Sequence, residues 1–263
     1  MDKYIVLSDL HVTGKGLYVQ GGNSDLNYIN ALSHIASNHR DARAIFCMGD
    51  ISNNGSASSY EFFSKCNEGI SIPCYTILGN HDEISNAKKH INLDIHQERF
   101  VQFYKVYNDK AFIFLDTTEE ELESGCLCEF RLEWLDKALS LMLDSNIDVY
   151  IFMHHNPFDI NVRCYEKIGL RNSEQFYGTI LRYKAIVKHI FFGHCHQNIH
   201  GIFKGVTYTA VKGTNHQIYP DLSNDSSFKV CDFEPSYYVL LFDRENFYSY
   251  DIEFNKKIVS EIQ

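Results

Sequence analysis

The chain has no run of 18 apolar residues, so nothing in it predicts a membrane-spanning helix. Its start, Met1-Asp2-Lys3-Tyr4-Ile5-Val6-Leu7-Ser8-Asp9, lacks the basic region, long apolar segment and small-residue cleavage site of a secretory signal. The expectation is therefore a cytoplasmic protein. There is no basic excess either: 24 Lys and Arg against 34 Asp and Glu leave a net charge of −10, which argues against a nucleic-acid polymer as partner. Cys126 and Cys128 have no second pair at zinc-site spacing, and the eight cysteines are read as reduced thiols without a role. Repeats, low-complexity tracts and linkers are also missing. Residues 1–263 are therefore read as a single domain, large enough to bury a substantial core.

What is present is a rhythm. Lys3 to Leu7 reads as a strand ending in Ser8-Asp9-Leu10-His11, followed by a glycine-rich loop and a helix that Asp25 caps, with Leu26, Ile29, Leu32, Ile35 and Ala36 on its apolar side. Ala44 to Met48 is a buried strand ending in Gly49-Asp50. A helix from Ser58 to Asn67 leads to the strand before Gly79-Asn80-His81-Asp82. Strand, helix, strand, helix, strand implies a parallel sheet, whose carboxyl edge collects Asp9, His11, Asp50, Asn80 and His81. Further on, Val101 to Val106 and Ala111 to Leu115 read as a hairpin, and Phe130 to Ser145 as an amphipathic helix with Trp134, Leu135, Ala138, Leu139 and Met142 on its buried side. Two apolar strands stop at His154-His155-Asn156-Pro157 and Gly193-His194-Cys195-His196. Residues 197–263 carry hairpin signals without helices, including one about Asp243-Arg244-Glu245-Asn246, and predict mostly antiparallel strands of a second sheet.

The strand ends supply Asp9, His11, Asp50, Asn80, His154, His194 and His196. One histidine after a strand is ordinary; five clusters, each with a donor just beyond an apolar run, form a pattern. Seven oxygen and nitrogen ligands suit two borderline cations, with positions left for water and substrate. Asn80 lends a carbonyl oxygen, and His81 stays free to meet a substrate.

Asp9-Leu10-His11, Gly49-Asp50 with Gly55, Gly79-Asn80-His81-Asp82, His154-His155-Asn156-Pro157 and Gly193-His194-Cys195-His196 resemble the five ordered motifs of the calcineurin-like metallophosphoesterases. The resemblance implies a four-layer α/β/β/α sandwich with mixed central sheets and two metals at the sheet edges. It implies one metal on Asp9, His11, Asp50 and His196, and Asp50 bridging to a second on Asn80, His154 and His194. Manganese or iron is expected, with zinc, cobalt and nickel as alternatives. His81 would stand near the leaving group, with Asp82 orienting it. The chemistry implied is attack of a metal-bridging hydroxide on a phosphodiester, with His81 assisting the departing alkoxide.

Gly169-Leu170-Arg171-Asn172, Gly193-His194-Cys195-His196-Gln197 and Lys212-Gly213-Thr214-Asn215-His216-Gln217 are similar to the branch of class III cyclic-nucleotide phosphodiesterases and glycerophosphodiesterases. That likeness implies a small, soluble phosphodiester substrate, with Asn80, His81, Arg171, Asn172 and His216 at its site. His155 is divided between support of a ligand and contact with substrate. Cys195 is read as packing. Ser52-Asn53-Asn54 departs from the acidic residue that many relatives carry there. A phosphomonoesterase or phosphoprotein phosphatase of the same fold, and a non-catalytic scaffold, are the alternatives; a homo-oligomer is compatible with either.

Overall fold

The computed structural model describes residues 1–223, 225–243 and 246–256. β1 (Asp2–Leu7) is followed by a small hairpin, β2 (Tyr18–Val19) and β3 (Gly22–Asn23), and by α1 (Ser24–Asn38). Next come β4 (Ala44–Met48), α2 (Ala57–Asn67), β5 (Cys74–Ile77) and α3 (Ile84–His90). The middle of the chain forms β6 (Phe103–Tyr107), β7 (Lys110–Leu115), α4 (Glu129–Asp144), β8 (Asp148–Met153), α5 (Ser173–Arg182) and β9 (Val187–Phe192). It closes with β10 (Ile199–Phe203), β11 (Val206–Ala210), β12 (Gln217–Ile218), β13 (Val230–Cys231), β14 (Ser236–Phe242) and β15 (Phe247–Glu253).

Two mixed sheets lie face to face. One has the order β15-β14-β1-β4-β5 and the other β10-β11-β9-β8-β7-β6. Alternation along β7 shows why both faces are covered. Phe112 and Phe114 point into the core shared with Tyr4, Phe46 and Phe152, whereas Ala111, Ile113 and Leu115 meet the cluster of Leu135, Leu139, Phe176 and Ile180 from α4 and α5. Between the sheets the aromatic rings interlock, with Phe114–Phe152 centroids at 5.0 Å and Phe152–Phe191 at 4.8 Å. Such pairs contribute about 0.5–1.5 kcal/mol each beyond the area they bury. α1 and α2 cover the outer face of the first sheet through Tyr28, Leu32, Tyr60 and Phe63. The result is the expected α/β/β/α layering.

Two expectations are corrected. Asn23, not Asp25, caps α1, its side chain accepting from Leu26 N. Starting the helix there turns Tyr28, Ala31, Leu32 and Ile35 inward, leaving Leu26 50% and Ile29 42% exposed. Asp25 instead accepts from the backbone of Thr13, Gly14 and Gly16 and ties down the glycine-rich loop. Nor do the strands after residue 197 make a sheet of their own. β10 and β11 extend the second sheet, while β14 runs antiparallel to β1 within the first. β14 is buried along nearly its whole length because it lies between β1 and β15, whereas β15 at the edge is buried at none of its positions. Arg244 and Glu245 of the last turn lie outside the described residues.

Candidate metal centre

Strand register brings the donors together. Leu7 pairs with Cys47 and Met48 with Ile77, so β1, β4 and β5 release the chain side by side at Asp9, Asp50 and Asn80. In the facing sheet Met153 pairs with Phe192, which sets His154 beside Gly193-His194. At these exits the backbone bends sharply: Asp9, His11, Asp50, His194 and His196 have φ of 52, 48, 50, 63 and 47°. Left-handed backbone at a non-glycine residue costs about 1 kcal/mol or more, and such residues gather where side chains are aimed for function.

The second nitrogen of each imidazole determines what the first can do. Nδ1 of His154 lies 2.9 Å from Met48 O, and Nδ1 of His196 lies 2.8 Å from His216 O. A carbonyl only accepts, so in both rings Nδ1 carries the proton of the neutral form and Nε2 presents a lone pair. The lone pair of His154 faces Asn80 Oδ1 at 3.2 Å and Asp50 Oδ2 at 3.4 Å. That of His196 faces His11 Nε2 at 3.2 Å and Asp9 Oδ1 at 3.3 Å. While these rings are neutral, their lone pairs therefore face the oxygens of Asn80, Asp50 and Asp9, acceptor against acceptor, and His11 Nδ1 and His194 Nε2 are buried with no hydrogen-bond partner. Buried groups arranged this way fit cations, which neutral hydrogen bonds among the same atoms do not replace. Asp50 joins His154 and His194 in one possible ligand group and His11 and His81 in another; His11 and His196 form a third with His216.

Burial raises the Asp9 carboxyl, with His196 and His154 working against it. Burial also opposes ionisation of Asp50, but His154, His11 and His81 hold it well below the usual carboxylate range. Burial pushes His154 down, yet the charge and hydrogen bond of Asp50 lift it to about 9. His11 and His194 are driven well below the usual histidine range by burial. Two glycines give the carboxylates room: a Cβ at Gly79 would stand 2.2 Å from Asp50 Oδ1, and one at Gly193 would stand 2.1 Å from Ser8 Oγ.

All seven donors expected from the sequence lie in this cluster, whose open side is a cavity of about 360 Å³. His81 is exposed at its rim, its backbone N–H donating to Asp50 Oδ1. His216 lines the same cavity, with its ring centroid 4.1 Å from that of His196.

Four expected placements are corrected. Asp82 does not touch His81: its carboxylate accepts from the backbone of Ile51, Ser52 and Gly79 and from Tyr60 Oη. Burial, followed by the charge of Asp50, raises Asp82 to about 6. His81 is oriented instead by Asn53, whose carbonyl oxygen accepts from Nδ1 at 3.0 Å. His155 does not line the cavity. It is fully buried, donating from Nε2 to Glu123 O and accepting at Nδ1 from Thr117 Oγ1, and its ring packs against His194. Arg171 is half-exposed and pairs with Glu119, and Asn172 clamps the backbone of Leu127 from both sides. Neither lines the cavity.

Residues that sequence reasoning missed are Asn53, Thr117, Glu123 and Tyr165. Tyr165 Oη donates to Cys195 O at 2.6 Å, between the two donor histidines. Only Asn53 carried a signal, its place in the turn after Asp50. Among the described residues no helix is long and apolar enough to cross a membrane.

Residues 3–198 match the family model described as calcineurin-like phosphoesterase. The chain is 29% identical to a probable cyclic nucleotide phosphodiesterase of Rhodopseudomonas palustris, over 84% of this chain and 81% of that protein. It is 25% identical to a probable glycerophosphodiester phosphodiesterase of Arcobacter nitrofigilis, over 88% of this chain and 85% of that protein. A dimetal phosphatase from Danio rerio has a similar fold, with a TM-score of 0.70 at 12% identity over 96% of each chain.

Proposed function

The chain belongs to the calcineurin-like phosphoesterase family, and from that premise we propose a binuclear phosphodiesterase that hydrolyses a small diester, a 3',5'-cyclic nucleotide or a glycerophosphodiester. The observation that carries this reading is Asp50, whose carboxylate is shared between donor groups on both of its sides. Asp9, His11, Asp50 and His196 would hold one cation, and Asp50, Asn80, His154 and His194 the other. Bound divalent ions, manganese or iron foremost, would bring a water towards neutrality in pKa and offset charge on the phosphoryl oxygens.

The remaining work falls to the chain. His81, anchored through Nδ1–H on Asn53 O, serves as acid only when Nε2 is also protonated; it then delivers that proton to the departing alkoxide. His216 has the opposite tautomer. Asn215 Nδ2 donates both to Val19 O and to His216 Nδ1, so Nε2 carries the proton and presents a donor. That donor suits a phosphoryl oxygen and not a cation. The acidic balance of the chain suits a small substrate, and two sheets contributing to one site suit a single domain across residues 1–263.

The test is turnover of bis(p-nitrophenyl) phosphate against p-nitrophenyl phosphate by manganese-loaded protein. Preference for the diester is expected; preference for the monoester overturns the reading. No metal uptake and no rescue by added metal would instead point to a scaffold.

A further inference from the structure

The cavity has two unlike sides. Its floor is the imidazole and carboxylate cluster, and against it stand Tyr165, Ile168, Phe228 and Val230. Tyr165 is fixed: it is 2% exposed, its hydroxyl donates to Cys195 O, and its ring packs on His194. Phe228 rests edge-on against Tyr165, centroids 5.4 Å apart with an interplanar angle of 84°. It is nonetheless 52% exposed, with Tyr165 as the ring it packs on. β12 pairs with β13 through Gln217–Cys231 and Ile218–Val230, holding this wall in register two residues beyond Phe228.

Resting on the diester reading above, we infer that Phe228 is a specificity-determining residue, the platform on which a planar aromatic ring of the substrate stacks. A cationic headgroup is the competing occupant of an aromatic surface, but a quaternary ammonium is recognised by a cage of several ring faces. Here Tyr165 is buried and only Phe228 is open, which is the geometry of a stacking platform. Base–aromatic stacking tolerates any base, since each has a π-face. The wall therefore selects a nucleobase-bearing diester over a glycerol-based one without specifying the base.

Phe228→Ala, Phe228→Leu and Phe228→Trp in the manganese-loaded protein, assayed on cyclic AMP, glycerophosphoethanolamine and glycerophosphocholine, test this. The Ala and Leu variants should raise KM for cyclic AMP roughly 5- to 100-fold with kcat little changed, and leave both glycerol diesters within about 2-fold. The Trp variant should retain wild-type KM. Equal losses on all three substrates, or no loss on any, overturn the inference, as does a loss confined to glycerophosphocholine. If wild-type protein turns over none of these diesters, the functional reading fails separately. Calorimetry with adenosine 5'-monophosphate and ribose 5-phosphate still decides the platform, since Phe228-dependent binding of the nucleotide alone supports it and Phe228-independent or absent binding overturns it.

Discussion

The main-chain carbonyl of Asn53 lies 3.0 Å from Nδ1 of His81, whereas the Asp82 carboxylate next in sequence turns away to Tyr60 Oη and three backbone N–H groups. The two acidic-motif neighbours therefore have separable jobs. His81→Ala should lower kcat on an alkyl diester roughly 10²- to 10⁴-fold, hardly affect a p-nitrophenyl ester, and leave metal content intact. Asp82→Ala strands four donors and should cost roughly 3 kcal/mol or more in urea unfolding. It should depress both substrates alike. A leaving-group dependence for Asp82→Ala matching that of His81→Ala would restore the carboxylate as the orienting group.

Metal content by elemental analysis should separate the histidines by their protonated nitrogen. His154→Ala removes a lone pair aimed at Asn80 and Asp50, and should lose metal and more than about 100-fold in activity. His216→Ala should keep its metal and lose about 10-fold in kcat/KM, part of which His216→Gln recovers by restoring an N–H donor. Metal loss in both His216 variants would make that ring a ligand.

Gly79→Ala is a test of space. The added methyl meets Asp50 Oδ1 at 2.2 Å and the His154 ring at 2.7 Å, and both of these side chains are buried. Metal affinity should fall on the order of 10- to 100-fold, with far-UV circular dichroism unchanged. Wild-type affinity in this variant would mean that the exit of β5 shifts freely.

His189 gives a pH dependence remote from the metal cluster. His200 Nδ1 lies 3.0 Å from Thr209 Oγ1, which lies 3.0 Å from His189 Nε2; His189 Nδ1 lies 2.8 Å from Thr207 Oγ1, which donates to Lys188 O. The chain runs in one direction only if His189 is neutral with its proton on Nδ1. Burial, with a smaller contribution from His200, lowers His189 to about 3. The folded state then binds fewer protons than the unfolded one, so stability is full above about pH 6.5 and falls as pH drops towards 3. Urea unfolding of His189→Gln should show a shallower loss between pH 6.5 and 4.5, by up to about 1.4 kcal/mol per pH unit. Equal slopes would show that His189 does not carry this dependence.

Much of the site was legible in the sequence because its grammar is local. An apolar run ending in Asp9, Asp50, Asn80, His154 or His194 states both that a strand stops and that a donor follows it, and parallel order then gathers such ends at one edge. The phase of α1 was only partly legible: Leu26 and Ile29 share the helical spacing of Leu32 and Ile35 yet stay exposed, while Tyr28 and Ala31 take the core side.

The amino-acid order by itself determined the acidic net balance, the layered α/β class and which residue types the strand ends present. Tertiary structure alone decided which nitrogen of each imidazole is free, that Asp82 braces a turn while Asn53 aims His81, and that Arg171 and Asn172 stay outside the cavity. The physical reason is that a side chain's type is written at its own position. Its hydrogen-bond partner can be a carbonyl or carboxylate more than a hundred residues away, as Met48 is 106 positions from His154, and only the folded path brings the two within 3 Å.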